Sequence, residues 1–454
     1  QVPTTLESLV VTCALARLGA VQNPIVPVLR GHDVAFIVDQ LGSEVLIVPE
    51  EWRGFDHGAM AREIAATRGL RVVIADHATD PSTAGGAMRL QAGDPAALPP
   101  APDGDGERWV YYSSGTTADP KGIRHTDFSV MATANSVMRG MGMNPDDVFP
   151  MAIPMAHIGG VGMLTAALMS GMCIVLFDTW DPATTPERMA AHQPTILGSA
   201  VPFFLAYTDA QRRHGDEPLF PALRTGVAGG APLPPEVNRA VRETLGIRGI
   251  CNSWGLTEFP IITSPRPDDP VEVLDTTVGF PGEGIRVRAV GADEQEMPPG
   301  QEGELRLKGP QCFAGYVDPA LDAGAFDADG WLRTGDLGTV DADGRVRVTG
   351  RLKDVIIRNA ENVSALEVED VMMRCPGVAD VAVIGVPDLR TVERVCAVVV
   401  LAPGATLTLD DVVTHCRDEA MTPFKIPERL EVVDTIPRNS MGKILKNDLR
   451  DRFH

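Results

Sequence analysis

A stretch rich in hydroxyl groups and glycine lies between residues 111 and 123, where the sequence reads YYSSGTTADPKGI. Hydroxyl side chains, and backbone amides at Gly115, can donate hydrogen bonds to phosphate oxygens, and Lys121 adds a positive charge. The order differs from a Walker phosphate loop, because the hydroxyls precede the lysine and Pro120 lies directly before it. The pattern predicts a phosphate-binding loop after a strand, with a polar surface loop as the alternative.

The chain uses lysine sparingly, so the position of each lysine is informative. Six of the 40 basic residues are lysines, and one of them is Lys121. Lysine is a compact charge that reaches a single oxygen, whereas arginine imposes a flat fork of donors. Lys443, in the segment PRNSMGK near the last residues, also follows glycine and serine. Both lysines are candidates for contacts with an anionic substrate. The alternative for Lys443 is a solvated lysine, like its neighbour Lys446.

Length and charge limit the classes of protein to consider. At 454 residues, with 44% hydrophobic and 22% charged residues, the sequence predicts a globular protein of two or more domains. Asp and Glu outnumber Lys and Arg by 61 to 40, and the net charge of −21 argues against nucleic acid or an anionic membrane surface as partner. The seven cysteines form no CxxC pair or Cys/His cluster, which favours a reducing cytoplasm over a disulfide scaffold or a zinc site.

Two segments bear on the surroundings of the chain. The apolar run of residues 159–177 approaches the length of a membrane span, but glycines and a serine interrupt it. A buried helix followed by a strand is predicted there, and no transmembrane segment is expected. The sequence starts at Gln1 within an apolar pattern, so further residues upstream are expected.

Hydrophobic periodicity predicts an α/β protein. Helix-like stretches alternate with short apolar runs up to about residue 250, which is typical of mainly parallel sheets covered by helices. Residues 266–350 hold short β runs and turns and predict a β subdomain. From residue 355 the pattern predicts a small α+β C-terminal domain, with helices at 364–374 and 409–419.

Five motifs in order resemble those of the adenylate-forming superfamily, which comprises acyl-CoA synthetases, aryl-CoA ligases, luciferases and peptide-synthetase adenylation domains. The resemblance covers nearly the whole chain. One departure is Ala118, where the phosphate loop of the family usually has a glycine. The matching segments are YSSGTTADPKG (112–122), WGLTE (254–258), RTGDLG (333–338), GRLKD (350–354) and PRNSMGK (437–443).

The resemblance implies an enzyme of two domains. Residues 1–349 would form an N-terminal adenylation domain without its upstream part, residues 350–354 a hinge that contains Lys353, and residues 355–454 a mobile C-terminal domain that carries Lys443. The implied reaction is ATP-dependent activation of a carboxylic acid to an acyl adenylate with release of pyrophosphate. Transfer to CoA then gives acyl-CoA and AMP, so that ATP, Mg²⁺ and coenzyme A are the implied cofactors.

The resemblance also implies roles at the phosphate groups. Glu258 would hold Mg²⁺, Thr257 would contact the α-phosphate, and Lys443 would bridge the substrate carboxylate and the α-phosphate. Attack of a carboxylate on a phosphate brings two anions together, so cations and preorganised donors lower the barrier. The β- and γ-phosphates would be held by Ser113, Ser114, Gly115, Thr116, Thr117 and Lys121.

Adenine and ribose would lie against a second group of residues. By the resemblance, Trp254 would pack on adenine, and Asp336, assisted by Arg351, would accept hydrogen bonds from the ribose hydroxyls. The alternatives are a core tryptophan and a turn aspartate. The other implied nucleotide contacts are Gly229, Gly230, Ala231, Asn252, Ser253 and Gly255.

The acid is predicted to be apolar. His157 occupies a position where acyl- and aryl-CoA ligases often carry a histidine or an aromatic ring, and it is a catalytic candidate, with a core histidine as the alternative. No aspartate between Pro154 and Leu164 could pair with an α-amino group, which disfavours amino acids. Glycines that remove side-chain volume predict a roomy pocket for a medium- or long-chain, alicyclic or steroid-like acid. The predicted walls are Gly159, Gly160, Gly162, Val201, Pro202, Phe203 and Ala228.

The acceptor is predicted to be CoA, with the pantetheine of a carrier protein as the alternative. Asn359 and Ala360 stand where CoA ligases often have two glycines. The chain could also be a non-catalytic relative, which the retained motif residues disfavour, or a phosphate-releasing kinase or ATPase, which the lack of a Walker pattern disfavours. The expected partners are a small-molecule acid and CoA, and a homodimer is left open.

Overall fold

The computed structural model describes residues 1–75, 93–113, 120–358, 361–388, 390–439 and 442–453. The first segment is a small α/β unit in which strands β1 and β4 pair in parallel. Helix α1 is capped at its C-terminus by Gly19, whose φ of 69° suits glycine. The elements are α1 (Leu6–Leu18), α2 (Gly31–Leu41), β1 (Val45–Val48), β2 (Glu51–Trp52), β3 (Phe55–Asp56), α3 (His57–Ala66) and β4 (Arg71–Ile74).

The central segment carries the predicted βα alternation. Strands β9, β10 and β11 pair in parallel, as do β7 and β8, and helices cover them. The elements are β5 (Glu107–Ser113), β6 (Lys121–Thr126), α4 (Asp127–Met141), β7 (Val148–Met151), α5 (Ile158–Ser170), β8 (Cys173–Leu176), α6 (Thr185–Ala190), β9 (Ile196–Ser199), α7 (Val201–His214), β10 (Thr225–Gly229), α8 (Pro235–Leu245), β11 (Ile250–Ser253) and β12 (Thr263–Ser264).

The predicted β subdomain follows as a four-stranded antiparallel sheet in the order β14-β15-β17-β18. Strand β16 lies between β15 and β17 in the sequence but is not part of this sheet. It pairs instead with β6 of the central segment. The elements are α9 (Val271–Thr276), β13 (Phe280–Pro281), β14 (Arg286–Val290), β15 (Gly303–Lys308), β16 (Gly315–Tyr316), α10 (Asp322–Ala325), β17 (Leu332–Val340) and β18 (Val346–Arg351).

The C-terminal segment is an α+β unit with its own apolar core, which includes Ile356, Val368 and Val399. Its sheet runs β20-β19-β22-β21, and β23 adds to β22 in parallel. A turn of 3₁₀ helix at Leu352–Asp354 connects it to β18. The elements are β19 (Val355–Arg358), β20 (Glu361–Ser364), α11 (Ala365–Met372), β21 (Val378–Asp388), β22 (Val392–Leu401), α12 (Leu409–Asp418), β23 (Arg429–Val432) and α13 (Lys446–Phe453).

The apolar run of residues 159–177 forms most of α5 and then β8, as predicted. Helix α5 packs against α4, and most of its side chains are buried. Within the residues described, none of the helices combines the length and apolar character that crossing a bilayer requires. The predicted α/β fold class, with an α+β C-terminal part, is confirmed.

Candidate active site

Two parallel strands bring the predicted nucleotide contacts together. In the register of β10 and β11, Ala228 lies opposite Asn252 and Gly229 opposite Ser253. Both strands end at the same edge of the sheet, where loops of α/β folds commonly bind ligands. Gly230 turns the chain after β10 with a φ of 80°, and the side-chain amide of Asn252 donates to the carbonyl oxygen of Ala231 over 3.5 Å.

Polar atoms at this edge point to a ligand. Oδ1 of Asn252 and Oγ of Ser253 are buried, and among the residues described neither has a hydrogen-bond partner. A buried polar atom without a partner costs about 1–3 kcal/mol. Hydrogen-bonding groups of a ligand would remove this cost, which fits a nucleoside at this position.

Asp336 is held by two of the residues predicted to accompany it. Its strand β17 pairs with β18 so that Asp336 lies opposite Arg351. The Nε of Arg351 lies 2.9 Å from Oδ1 of Asp336, and Nε1 of Trp254 donates to Oδ2 over 2.8 Å. Asp336 is only 2% exposed. The carboxylate is therefore fixed in the sheet and is not part of a solvated turn.

Trp254 lies in the hydrophobic core of the β subdomain, together with Phe259 and Ile262. Its indole N–H is directed at Asp336. The side chain thus combines a core position with a polar contact to the predicted ribose-binding residue. The role of its ring as an adenine platform stays a prediction.

Tyr316, a residue that the sequence patterns did not single out, lies next to both Glu258 and Lys121. The hydroxyl of Tyr316 donates to Oε1 of Glu258 over 2.8 Å, and Nζ of Lys121 lies 5.7 Å from the centre of the tyrosine ring. Pairing of β16 with β6, which places Tyr316 opposite Ile123, creates this arrangement. Burial and the charge of Glu258 raise the pKa of Tyr316, so that its hydroxyl stays a donor.

The predicted phosphate loop is described at its two ends. Ser113, the last residue of β5, lies opposite Lys121, the first residue of β6, so the loop closes an antiparallel hairpin. The central residues of the loop, which include Ala118, lie outside the residues described. These are Ser114, Gly115, Thr116 and Thr117 among the predicted contacts.

Thr257 is positioned by a histidine that the sequence patterns also did not reveal. Nε2 of the buried His125 lies 2.8 Å from the carbonyl oxygen of Thr257, which can only accept, and Nδ1 lies 3.0 Å from Oγ of Ser129. Burial lowers the pKa of His125 to about 4, so the ring is neutral at physiological pH. The contact fixes the backbone at Thr257, next to Glu258.

His157 caps the first turn of α5. Its Nδ1 accepts from the backbone N–H of Gly159 over 3.1 Å, and burial lowers its pKa to about 4. The ring, Thr257 and Tyr111 line one cavity of about 40 Å³. The structure therefore brings His157 and Thr257 together around a space that suits water molecules.

Two glycines of α5 lie where the helix closely approaches neighbouring segments. A Cβ on Gly160 would lie 2.3 Å from the carbonyl oxygen of Pro154, and one on Gly162 would lie 3.3 Å from Cγ2 of Thr133. Both glycines permit close packing of α5, and their place in the wall of an acid pocket stays a prediction. A Cβ on Gly159 would meet only His157.

The remaining predicted walls gather around the start of α7. Val201, Pro202 and Phe203 follow β9, and Ala228 lies on the neighbouring strand β10, opposite Ser199. The ring of Phe203 packs on Trp180, with 4.3 Å between the ring centres. These side chains form an apolar and partly aromatic surface.

Lys443 lies in a hairpin that reaches this surface. The hairpin is closed by bonds between Asn439 and Lys443, and a Cβ on Gly442 would lie 3.6 Å from Cγ of Pro202. Burial, followed by the charges of Arg351 and Lys353, lowers the pKa of Lys443 to about 8. The charges of Arg351 and Asp336, in the β subdomain, therefore act on this lysine of the C-terminal segment.

Two family models match this chain. The model of the AMP-binding enzyme matches residues 1–317, and that of the AMP-binding enzyme C-terminal domain matches residues 367–443. The chain belongs to the AMP-binding enzyme family. The predicted adenylate-forming superfamily is confirmed, and with it the prediction of an AMP-forming acid–thiol ligase.

Relatives of this AMP-binding enzyme cover nearly all of the chain. A salicylyl-CoA synthase / salicylate adenylyltransferase from a Streptomyces species is 34% identical over 99% of this chain and 83% of its own length. The medium-chain fatty-acid–CoA ligase of Escherichia coli is 30% identical over 99% of this chain and 80% of its own. The crystal structure of ATP-bound MatB from Rhodopseudomonas palustris has a TM-score of 0.87 at 27% identity and covers all of this chain and 88% of that one.

The predicted hinge of this AMP-binding enzyme, residues 350–354, includes the 3₁₀ turn Leu352–Asp354 between β18 and β19. Burial and the charge of Arg351 lower the pKa of Lys353 in that turn. The hydroxyl of Ser364, which caps α11, donates to the carbonyl oxygen of Thr349 over 2.8 Å, on the other side of the turn. The predicted loop residues Asn359 and Ala360 lie outside the residues described.

Lys446 differs from the solvated side chain that was expected. It forms an ion pair of 2.7 Å with Glu369, and the two side chains are 14% and 13% exposed. No sequence pattern indicated this pair, because its partners are far apart in the chain and helix α13 was not predicted.

Proposed function

We propose that this chain is an AMP-forming ligase that activates an apolar carboxylic acid with ATP and transfers the acyl group to CoA. In the first step a carboxylate oxygen attacks the α-phosphorus, and the bond to pyrophosphate breaks. In the second step the thiol sulfur attacks the acyl carbon, loses its proton and displaces AMP. The observation that carries the proposal is the Asp336–Arg351 pair in the β subdomain, whose charges act on the buried Lys443 of the C-terminal segment.

The nucleoside would lie at the edge of β10 and β11. Asp336, held by Trp254 and Arg351, would accept from the ribose hydroxyls without having to reorganise. Asn252 and Ser253 would use their buried oxygen atoms next to the glycine turn. The Trp254 ring is proposed to support adenine from the core side.

The phosphates would lie between the hairpin of β5 and β6 and the segment 257–258. Within the residues described, no group of three or more His, Cys, Asp or Glu side chains could form a metal site alone. Glu258 therefore offers one carboxylate, which fits Mg²⁺ because this ion usually shares one or two protein ligands with substrate phosphates and water. When bound, Mg²⁺ would neutralise charge on the phosphate oxygens, while Tyr316 keeps the Glu258 carboxylate in place.

Lys443 would supply the cation between the two reacting anions. Its pKa of about 8 reflects a charge that is buried among other cations. A carboxylate and an α-phosphate placed beside it would favour the charged form and would be stabilised in turn. This effect grows as charge develops in the transition state.

The acid is proposed to be apolar and to lack an α-amino group. Support comes from the apolar surface of Val201, Pro202, Phe203 and Ala228, against which the Lys443 hairpin lies. The related ligases act, by their names, on a medium-chain fatty acid and on salicylate, and both have an apolar body attached to a carboxylate. A medium- or long-chain, alicyclic or steroid-like acid, or an aromatic one, would suit this surface.

Product analysis tests the proposal. The full-length protein is incubated with ATP, Mg²⁺ and one acid from a panel of octanoate, cyclohexanecarboxylate, cholate, salicylate and acetate, with or without CoA. With a preferred apolar acid, we expect acyl-CoA and AMP in equal amounts, and acyl adenylate when CoA is omitted. Acyl adenylate that does not pass to CoA would point instead to a carrier protein as acceptor. Release of ADP and phosphate would contradict the proposal.

A further inference from the structure

Helix α13 begins three residues after Lys443 and carries two basic side chains on one face. Lys446 and Arg450 are four residues apart, a spacing that places side chains next to each other on a helix. Each forms an ion pair, Lys446 with Glu369 of α11 and Arg450 with Asp354 of the hinge. Neither residue has a role in the function proposed above.

The first pair joins α13 to α11. Nζ of Lys446 lies 2.7 Å from Oε1 of Glu369, and both side chains are largely buried. The same Glu369 oxygen accepts from the backbone N–H of Val383 over 2.7 Å. Because a broken buried ion pair leaves an uncompensated charge, this contact opposes separation of α13 from α11.

The second pair joins α13 to the hinge. Nη2 of Arg450 lies 2.9 Å from Oδ1 of Asp354, with 21% and 18% of the two side chains exposed. Nη1 of Arg450 also donates to Oδ1 of Asn447, one turn earlier on the helix, over 2.8 Å. Asp354 ends the 3₁₀ turn and directly follows Lys353.

A third ion pair lies at the start of the Lys443 hairpin. Arg438, at the start of the hairpin, pairs with Asp380 over 2.7 Å and donates to the carbonyl oxygen of Gly442 over 2.7 Å. The hairpin closes at the bridge between Arg438 and Ile444. The returning strand leads directly into Lys446, so the position of α13 sets where the hairpin projects.

We infer that Lys446 and Arg450 are positioning residues for Lys443. They fix α13 to α11 and to the hinge, and thereby hold the hairpin of Lys443 against the start of α7. The inference rests on the proposed role of Lys443 in acid activation. If α13 only stabilised the C-terminal segment, changes in it would affect both half-reactions and would not depend on Lys443.

A double-mutant cycle separates these two possibilities. Formation of acyl adenylate is measured by single turnover for wild type, Arg450→Ala, Lys443→Ala and the double variant, with the preferred acid of the panel. We expect Arg450→Ala to reduce the rate about 10-fold to 100-fold, because small displacements of a reacting group have effects of this size. In the Lys443→Ala background the same change should cost less than about 2-fold, since residues that act through one group are not additive. Lys446→Met should follow the same pattern.

Three controls accompany the cycle. Arg452→Ala, an exposed position on the same helix, should leave the rate within about 2-fold of wild type, the scale of ordinary surface substitutions. The synthetic adenylate of the preferred acid, supplied with CoA, should be converted by Arg450→Ala at near the wild-type rate. Arg450→Lys, which keeps the positive charge, should recover part of the lost rate of acyl-adenylate formation. This variant replaces Arg450→Ala in the cycle if the alanine variant does not fold.

Several results would overturn the inference. Equal losses from Arg450→Ala in both backgrounds, or a parallel loss in the thioester half-reaction, would assign α13 a structural role only. An unchanged rate in an active enzyme would refute the inference and leave the proposed function intact. A wild-type protein that forms no acyl adenylate with any acid of the panel would refute the proposed function and, with it, this inference.

Discussion

The two sides of the candidate site treat charge in opposite ways. In the β subdomain, Asp336 is an anion with a partner on each oxygen, Arg351 on one and Trp254 on the other. In the C-terminal segment, Lys443 is a cation whose pKa falls to about 8, because burial and the charges of Arg351 and Lys353 disfavour its protonated form. Both oxygens of the Asp336 carboxylate already have a partner within the protein. The protonated form of Lys443, in contrast, is disfavoured until an anion binds beside it.

The difference indicates how work is divided between the two sides. The carboxylate is held within one antiparallel sheet, which suits a binding contact that stays in place throughout the reaction. The lysine comes from a separate hairpin and lies near the cations Arg351 and Lys353, whose effect on its pKa the carboxylates of Asp336 and Asp354 oppose. The arrangement favours an anionic ligand beside the lysine. Replacement of Lys443 and replacement of Asp336 should therefore change different kinetic constants.

Replacing Lys443 by alanine should have the largest effect. We expect acyl-adenylate formation to fall at least ~100-fold, since a preorganised charge contact has effects of this size on catalysis. Single-turnover measurement with ATP and the preferred acid gives the rate. Conversion of supplied acyl adenylate to acyl-CoA should change little. Near-normal adenylation in this variant would refute the assigned role.

Replacing Asp336 by asparagine should act mainly on binding of ATP. Loss of charge-assisted hydrogen bonds to the ribose should raise the KM for ATP about 10-fold to 100-fold, with a smaller change in kcat. The matched variant Trp254→Phe keeps the ring but removes the N–H that holds Asp336, and should raise the same KM about threefold. A drop in kcat with unchanged KM for Asp336→Asn would contradict a ribose-binding role.

Replacing Lys353 by proline should separate the two half-reactions. Proline restricts the backbone of the 3₁₀ turn that would have to change for the C-terminal segment to rotate. Acyl-adenylate formation should be spared, whereas thioester formation should fall about tenfold or more. Measuring each half-reaction by quenched flow gives both rates. Equal losses would show that the turn is needed for the fold and not for a rotation.

The pH dependence should report the charge of Lys443. Since its pKa in the folded protein is lowered to about 8, the cation is present below this pH and is lost as pH rises through it. The value of kcat/KM for acid activation should therefore decline above about pH 8, to roughly one tenth at pH 9. Lys443→Arg, whose guanidinium stays charged, should be slower and lack this decline. A decline that persists in the arginine variant would arise from another group.

Local elements were predictable because their signals lie within a few residues. Helices α11 (Ala365–Met372) and α12 (Leu409–Asp418) lie within one or two residues of the bounds that hydrophobic periodicity predicted, 364–374 and 409–419. The motif residues Asp336, Arg351 and Lys443 could be named from the sequence motifs, and the fold brings them together. Their roles stay predictions.

The contacts that support these residues could not be predicted from spacing. Tyr316 reaches Glu258 across 58 residues of sequence, through the pairing of β16 with β6. The contact between His125 and the carbonyl oxygen of Thr257 likewise joins residues that are 132 positions apart in the sequence. Gly160, which was predicted as a pocket wall, is also required where α5 passes the backbone of Pro154. Such contacts depend on how distant segments meet, and periodicity within a segment carries no information on that.

The most direct test of the central claim is the exchange of labelled pyrophosphate into ATP by the full-length protein. The claim is that Lys443 joins a preformed nucleotide site to activate a carboxylic acid. It predicts exchange that requires an acid from the panel, and that falls at least ~100-fold in the Lys443→Ala variant. Lack of exchange with every acid, or exchange that the variant retains in full, would contradict the claim.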